Sequence, residues 1–399
     1  MSNAARFFFV TAALVVACRL ALPPVPQWPL VVIPFDPYGG AIYVPSVING
    51  DSAWLMFDTG LSRSGLDREW AQTIGAVGAM PPGALTPQVA ETVSTVVLDT
   101  LRLGEVVLRH ARVALYPLAG LSEASGRPER GLLGHDVLQR FAIEIDYRAR
   151  RVRLFDAAQY SYAGSGTAVP FAAGATLPLV EARVKVRGRP PIPARLLLDT
   201  GASGLCLILT TPFVEQHGLV QVSPALEAPI GTGLAGELHG TIARLQELRL
   251  GGVRVASPTT GLGGENKGFL GRTDIDGVIG NAVFEGSRLI VDYARRRVIV
   301  ERPAAPDSRC DFDMSGLRLI ARGADLRQII VDYVVPRSPG AEAGITVGDE
   351  LLLVDGRRVG DADLFALRKA FRVEGATRAL VLRRGGDTIR VAIRLRHLL

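Results

Sequence analysis

Two aspartates of the chain stand in the same setting. Asp58 ends the apolar run Trp54-Leu55-Met56-Phe57-Asp58-Thr59-Gly60, and Asp199 ends Leu196-Leu197-Leu198-Asp199-Thr200-Gly201. A lone carboxylate at the end of a buried strand is costly, so an Asp-Thr-Gly turn occurring once reads best as a strand cap. Two such turns that meet are another matter. Carboxylates a few ångströms apart cannot both ionise, so they share a proton, one serving as base and the other as acid. Water held between them can attack a peptide carbonyl while the protonated partner covers the developing oxyanion, with no covalent intermediate. The threonine hydroxyls suit a bond across to the partner turn. The glycines permit close backbone approach and leave amides aimed at the carboxylates. Asp58 and Asp199 are therefore the candidate catalytic pair, with Thr59, Gly60, Thr200 and Gly201 as their support.

The surroundings of the two aspartates are repeated as well. Val32-Ile33-Pro34-Phe35 is matched by Ala168-Val169-Pro170-Phe171, and Leu101-Arg102-Leu103-Gly104 by Leu248-Arg249-Leu250-Gly251. Gly131-Leu132-Leu133-Gly134 then pairs with Gly277-Val278-Ile279-Gly280, and Ile145-Asp146-Tyr147 with Val291-Asp292-Tyr293. The offset is 136 residues at the first element and 141 to 147 at the others, and five elements in register are not chance. Each copy has short apolar or alternating strands and turns rich in glycine and proline, which predicts all-β lobes. A brief helix is expected at 135–141, with connectors at 156–167 and 302–309. The boundaries read as a signal segment at 1–24, lobe 1 at 25–158, lobe 2 at 168–302 and a further domain at 310–399.

The Asp-Thr-Gly turns, the apolar Gly-x-x-Gly elements and the Ile/Val-Asp-Tyr strands resemble the retropepsin-like aspartic proteases in a tandem bacterial form, over roughly residues 30 to 302. The resemblance implies a mainly β fold of two retropepsin/pepsin-like acid-protease β-barrel lobes, with Asp58 and Asp199 as catalytic residues. It also implies flap hairpins, expected within 75–95 and 229–241. Copy one departs from the family by placing Leu61 after its turn, where copy two has the smaller Ala202. Neither flap region contains a tyrosine. Gly231-Thr232-Gly233-Leu234-Ala235-Gly236 fits a dinucleotide-binding pattern, but it lacks the flanking strand and helix and reads as a flap tip.

Beyond residue 310 the pattern changes. Ser338-Pro339-Gly340-Ala341-Glu342-Ala343-Gly344 and Val347-Gly348-Asp349-Glu350-Leu351 resemble a PDZ domain, a small α+β barrel. Strands are expected at 329–335, 379–383 and 388–395, and a helix at 362–371. By this resemblance Gly316, Leu317, Arg318 and Leu319 form the carboxylate-binding loop, whose exposed amides would hold a peptide C-terminus.

The net charge of +6 is almost wholly arginine, the lysines being Lys185, Lys267 and Lys369. Those arginines are scattered, which argues against nucleic-acid binding. The five histidines have no metal-ligand spacing, so neither cofactor nor metal is implied. Arg6 and the apolar run 7–17 form a signal-type segment, and Val15-Val16-Ala17-Cys18 resembles a lipobox. Export to a bacterial envelope or periplasm is expected, with Cys18 lipidated as a membrane tether, or with the segment a plain secretory signal or an uncleaved anchor. Cys206 and Cys310 are left either free or paired. The expected activity is that of an aspartic endopeptidase acting on extended polypeptides, its PDZ domain recognising substrates or C-termini. The alternative is an inactive, peptide-binding envelope adaptor built from the same modules.

Overall fold

The computed structural model describes residues 28–76, 93–221, 224–301, 310, 312–361 and 363–399. The signal segment with Cys18, most of the first expected flap (75–95) and the second connector (302–309) lie outside the described residues.

Lobe 1 is a closed barrel of six strands in the order Tyr43–Ile48, Asp51–Phe57, Gly131–Leu133, Gly65–Asp67, Val106–Tyr116 and Thr95–Leu103. Its first hairpin turns on Asn49-Gly50, with positive φ of 51° and 103°. That dipeptide tolerates the left-handed backbone which a two-residue hairpin needs. Ala53, Leu55 and Phe57 alternate into the core, and Val47 paired with Arg102 closes the barrel. Lobe 2 follows the same path, but its sheet of nine strands is open. Arg183 pairs with Arg249 there as Val47 pairs with Arg102 in lobe 1, so the two lobes keep the same closing contact. The long hairpin that closes lobe 1 is broken midway in both of its strands, giving Gly236–Arg244 and Glu247–Leu250, then Val253–Ala256 and Thr259–Gly263. The break falls at Ser257, with φ of 48°, and at Pro258, which has no N–H for a ladder.

The lobes are joined by a six-stranded sheet that contains Val31–Pro34 and Arg151–Asp156 from one side and Arg297–Glu301 and Thr167–Pro170 from the other. Its two central strands, Phe141–Asp146 and Arg288–Asp292, run antiparallel with Glu144 opposite Ile290. Ile145 and Val291 are repeat equivalents, so Glu144 and Ile290 are too. A residue paired with its own equivalent lies on the pseudo-twofold axis, which the register thereby locates. The helix expected at 135–141 is shorter, His135–Leu138, because Phe141 already belongs to the central strand.

The C-terminal domain has the sheet order Leu317–Arg322, Gln328–Val334, Glu350–Val354, Thr377–Arg384, Asp387–Arg394. Its helix Leu364–Ala370 is capped by Asp363, whose carboxylate accepts from Ala366 N at 2.6 Å. Cys206 and Cys310 form a disulfide with Cα atoms 5.8 Å apart, tying lobe 2 to the root of this domain.

Candidate active site

Each aspartate sits where its strand leaves the sheet beside a Gly-x-x-Gly strand. Phe57 pairs in parallel with Leu133, and Asp199 with Gly280. Asp58 N donates to Leu133 O at 3.0 Å, fixing the start of the turn. The two turns then lock to each other. Thr59 Oγ1 donates to Leu198 O at 2.8 Å and accepts from Thr200 N at 3.1 Å. Thr200 Oγ1 donates to Phe57 O at 2.6 Å and accepts from Thr59 N at 3.2 Å. Both threonines are wholly buried. Loss of either hydroxyl would strand a buried carbonyl and a buried amide, at about 1–3 kcal/mol each.

This lock brings the carboxylates together. Asp58 and Asp199 are hydrogen-bonded to each other. Gly60 N donates to Asp58 Oδ1 at 2.9 Å, while Gly201 N and Ala202 N donate to Asp199 Oδ1 at 2.8 and 3.0 Å. The glycines are required sterically as well. A Cβ on Gly60 would lie 2.6 Å from Asp199 Oδ2, and one on Gly201 would lie 2.6 Å from Asp58 Oδ2. Burial first, then the facing Asp199 and the bond to it, hold the Asp58 carboxyl well above the usual carboxylate range. Burial also raises Asp199, against the opposing effect of hydrogen bonds from Asp58, Gly201 and Ala202. Facing carboxyls in this setting cannot both ionise, so the pair shares one proton between Asp58 and Asp199. Such a pair can deprotonate water and protonate an oxyanion in one step.

Leu61 does not break this arrangement. It is buried in an apolar cluster with Tyr43, Met56, Tyr116 and Leu132, and its carbonyl accepts from His135 N at 2.8 Å. Across from it, the hairpin formed by Ala225–Gly233 and Gly236–Arg244 is longer than the expected 229–241 and turns at Leu234-Ala235. Leu234 packs against the Leu61 cluster of lobe 1, so this flap spans the cleft.

Other parts of the site were not read from the sequence. Asn281 Nδ2 donates to Gly40 O at 2.6 Å, and Asn281 Oδ1 accepts from Tyr147 OH, joining the lobes. At the equivalent place on the other side the His135 and Tyr293 rings meet edge to face, 5.1 Å apart. The signal was present: Asn281 and His135 follow the two Gly-x-x-Gly elements, and the tyrosines follow the repeated aspartates. In the expected PDZ loop, Gly316 N donates to Asp313 Oδ1 at 2.8 Å and Leu317 N to Ser315 Oγ at 3.0 Å, so these two amides have partners within the loop. Leu317 and Leu319 are buried, and Arg318 points its guanidinium at the flap residue Glu237.

The aspartyl protease family model matches residues 44–137 and again 182–283, and a PDZ domain model matches 330–384. No curated protein matches the chain. Among solved structures, it is similar to the aspartic proteinase of Irpex lacteus at 13% identity, covering 69% of this chain and 97% of that one, with a TM-score of 0.40. It is also similar to a photosystem II D1 C-terminal processing protease at 21% identity, covering 22% of this chain and only 24% of that one, with a TM-score of 0.21. The HtrA3 PDZ domain, solved with the phage-derived ligand FGRWV, shares 29% identity over 21% of this chain and 83% of its own, with a TM-score of 0.19. The chain belongs to the aspartyl proteases, as a tandem retropepsin-like pair of lobes followed by a C-terminal PDZ domain.

Proposed function

We propose that the protein is an aspartic endopeptidase, with Asp58 and Asp199 as its catalytic dyad. The observation that carries this reading is the mutual bond of two half-buried carboxyls, each in an Asp-Thr-Gly turn locked to the other. Asp199 takes a proton from water as it attacks the scissile carbonyl, and Asp58 gives its proton to the carbonyl oxygen. Collapse of the tetrahedral adduct passes a proton to the leaving amine and restores the pair. Thr59, Thr200, Gly60 and Gly201 hold the carboxylates in place, and the flap around Leu234 covers an extended polypeptide. The adaptor reading draws its weight from Leu61, and the burial of that side chain with Tyr43 and Met56 removes its support. Cleavage of unfolded casein in H2(18)O is expected to place one heavy oxygen in each new carboxylate without an acyl-enzyme burst. Binding of casein without new termini would overturn the assignment in favour of an adaptor.

Export to the cell envelope with a tether at Cys18 is part of the same proposal. A buried disulfide supports an oxidising compartment. Trp28, Leu30 and Val32, just beyond the signal-type segment, are exposed large apolar side chains, as suits a surface held close to lipid. The mass of the mature N-terminal peptide checks the tether: an acylated Cys18 is expected, and an unmodified peptide running through Ala17-Cys18 would exclude it.

A further inference from the structure

The PDZ domain is not an appendage, since its ligand-facing side is occupied by the protease itself. Leu317–Arg322 is the edge strand of the PDZ sheet, paired on one side with Gln328–Val334 and with no other strand among the described residues. Between this edge and the helix Leu364–Ala370 lies the groove in which PDZ domains accept a peptide as an added strand. In this chain the lobe 1 helix Ala119–Ser125 lies against that edge strand. Glu123 pairs with Arg322 at 2.7 Å. Arg368, from the far wall of the groove, donates through Nη2 to Leu319 O at 2.6 Å and to Ala124 O at 2.7 Å. Gly126 presses on the same wall so closely that a Cβ there would be 2.6 Å from Leu364 Cβ. The Tyr38 ring meets Phe365 at 5.9 Å.

The same domain also grips the flap. Arg318 is paired with Glu237 near the flap tip and donates to Thr232 Oγ1 at 3.0 Å. Tyr333 OH donates to Glu227 O at 3.0 Å. Val335 is buried with Ala228 and Ile230 of the flap, and Phe312, Tyr333 and Leu399 pack around them. The helix Ala119–Ser125 touches the flap strand Ala225–Gly233 too. The helix Ala119–Ser125, the PDZ edge and the flap therefore meet at one joint.

We propose that the helix Ala119–Ser125 is an internal stopper of the PDZ groove, and that an extended peptide with an apolar C-terminal residue displaces it and thereby loosens the flap over the cleft. The apolar residue would seat among Leu317, Leu319, Leu364 and Leu367, all buried at the groove. Binding then needs the stopper to leave first, so the apparent affinity is reduced by the fraction of molecules whose groove is open. Only the turnover arm of the test rests on the protease reading; the binding arm does not.

The test uses the full chain carrying Asp58→Asn, which leaves peptides uncut, and a fluorescein-labelled octapeptide pool ending in valine with a free carboxylate. Glu123→Arg sets two guanidinium groups against each other and is expected to tighten binding about fivefold, the upper end for an exposed ion pair. Adding Arg322→Glu restores the pairing with reversed sign and should return binding to the parent value. On peptide addition, amide exchange should accelerate in 119–126 and in the flap 225–244. Equal affinity in all three chains, or exchange unchanged in the stopper, would overturn the proposal. In the chain that retains Asp58, Glu123→Arg should raise kcat/KM on a short peptide severalfold. If binding follows the expected pattern while no chain cleaves, the stopper stands and the endopeptidase reading falls. Normal cleavage with indifferent binding leaves the endopeptidase standing and removes the stopper.

Discussion

Asp58→Asn and Asp199→Asn are each expected to lower cleavage at least on the order of ten-thousand-fold, and the double variant should be scarcely worse than either single one. Groups that act as a unit are not additive, because removing one already abolishes the shared step. Here the unit is one proton on two carboxyls, and asparagine can neither take a proton from water nor give one up. The lobes meet within a single chain, through Thr59 with Leu198 and Thr200 with Phe57, so mixing the two single variants should restore nothing. Recovery on mixing would mean that the working site is built between chains, and full activity in either single variant would end the dyad assignment. Stability should carry a second signature. The carboxyl of Asp58 is held well above its ordinary 3.8 in the native state. Its contribution is complete below the unfolded value and is lost as pH rises from there through the native value, by up to about 1.4 kcal/mol per pH unit. An asparagine side chain does not titrate, so the Asp58→Asn variant should melt like wild type near pH 3 and at progressively higher temperature than wild type as pH rises. Parallel melting curves across that range would show that Asp58 carries no raised pKa.

The fold was legible where the repeat put identical demands on two stretches of chain. The Gly-x-x-Gly elements had to be strands beside the aspartates, and Gly131–Leu133 and Gly277–Gly280 are. The PDZ elements were legible for a related reason: Asp363 caps a helix and Gly385-Gly386 turns a hairpin, both local signals. Broken symmetry was not legible. The interruption in lobe 2 falls at Ser257-Pro258, whereas His110, which matches Ser257 and has a similar φ of 53°, lies in an unbroken strand of lobe 1, so the proline alone marks the difference. At the site, the aspartates and their threonines could be named because the chemistry is written into consecutive residues. Asn281 and Tyr147 were marked only by their places after repeated elements, and their bonds to each other and to Gly40 form only once the lobes face each other. The PDZ contacts were hidden for the same reason. Glu123 and Arg322 are exposed charges of no special spacing, and only the docking of two separately folded units makes them partners.

Removal of the Cys206–Cys310 bridge is expected to be the most damaging change outside the dyad. It closes a loop of 104 residues that holds most of lobe 2, and the loop-entropy account gives about 4.7 kcal/mol for a ring of that size. The bridge is also placed where strain would reach the site. Cys206 lies a few residues beyond the Asp199 turn, donates to Thr259 O at 3.1 Å and accepts from Gly280 N at 2.9 Å. Thr259 Oγ1 in turn donates to Cys310 O at 2.9 Å, and Arg244 Nη1 reaches that carbonyl at 3.3 Å. The bridge therefore ties the root of the PDZ domain to the strands behind Asp199. Tryptophan fluorescence would miss the loss, because Trp28, Trp54 and Trp70 all belong to lobe 1. Amide exchange reads it directly: with Cys206→Ala and Cys310→Ala together, protection in Leu207–Leu209 and Thr259–Gly263 should fall on the order of a thousandfold. Reductant added to the wild type should produce the same fall, whereas in the double variant it should change nothing. Protection that survives both treatments would mean that the bridge does not hold lobe 2 together and that its unfolded chain is already confined by other contacts.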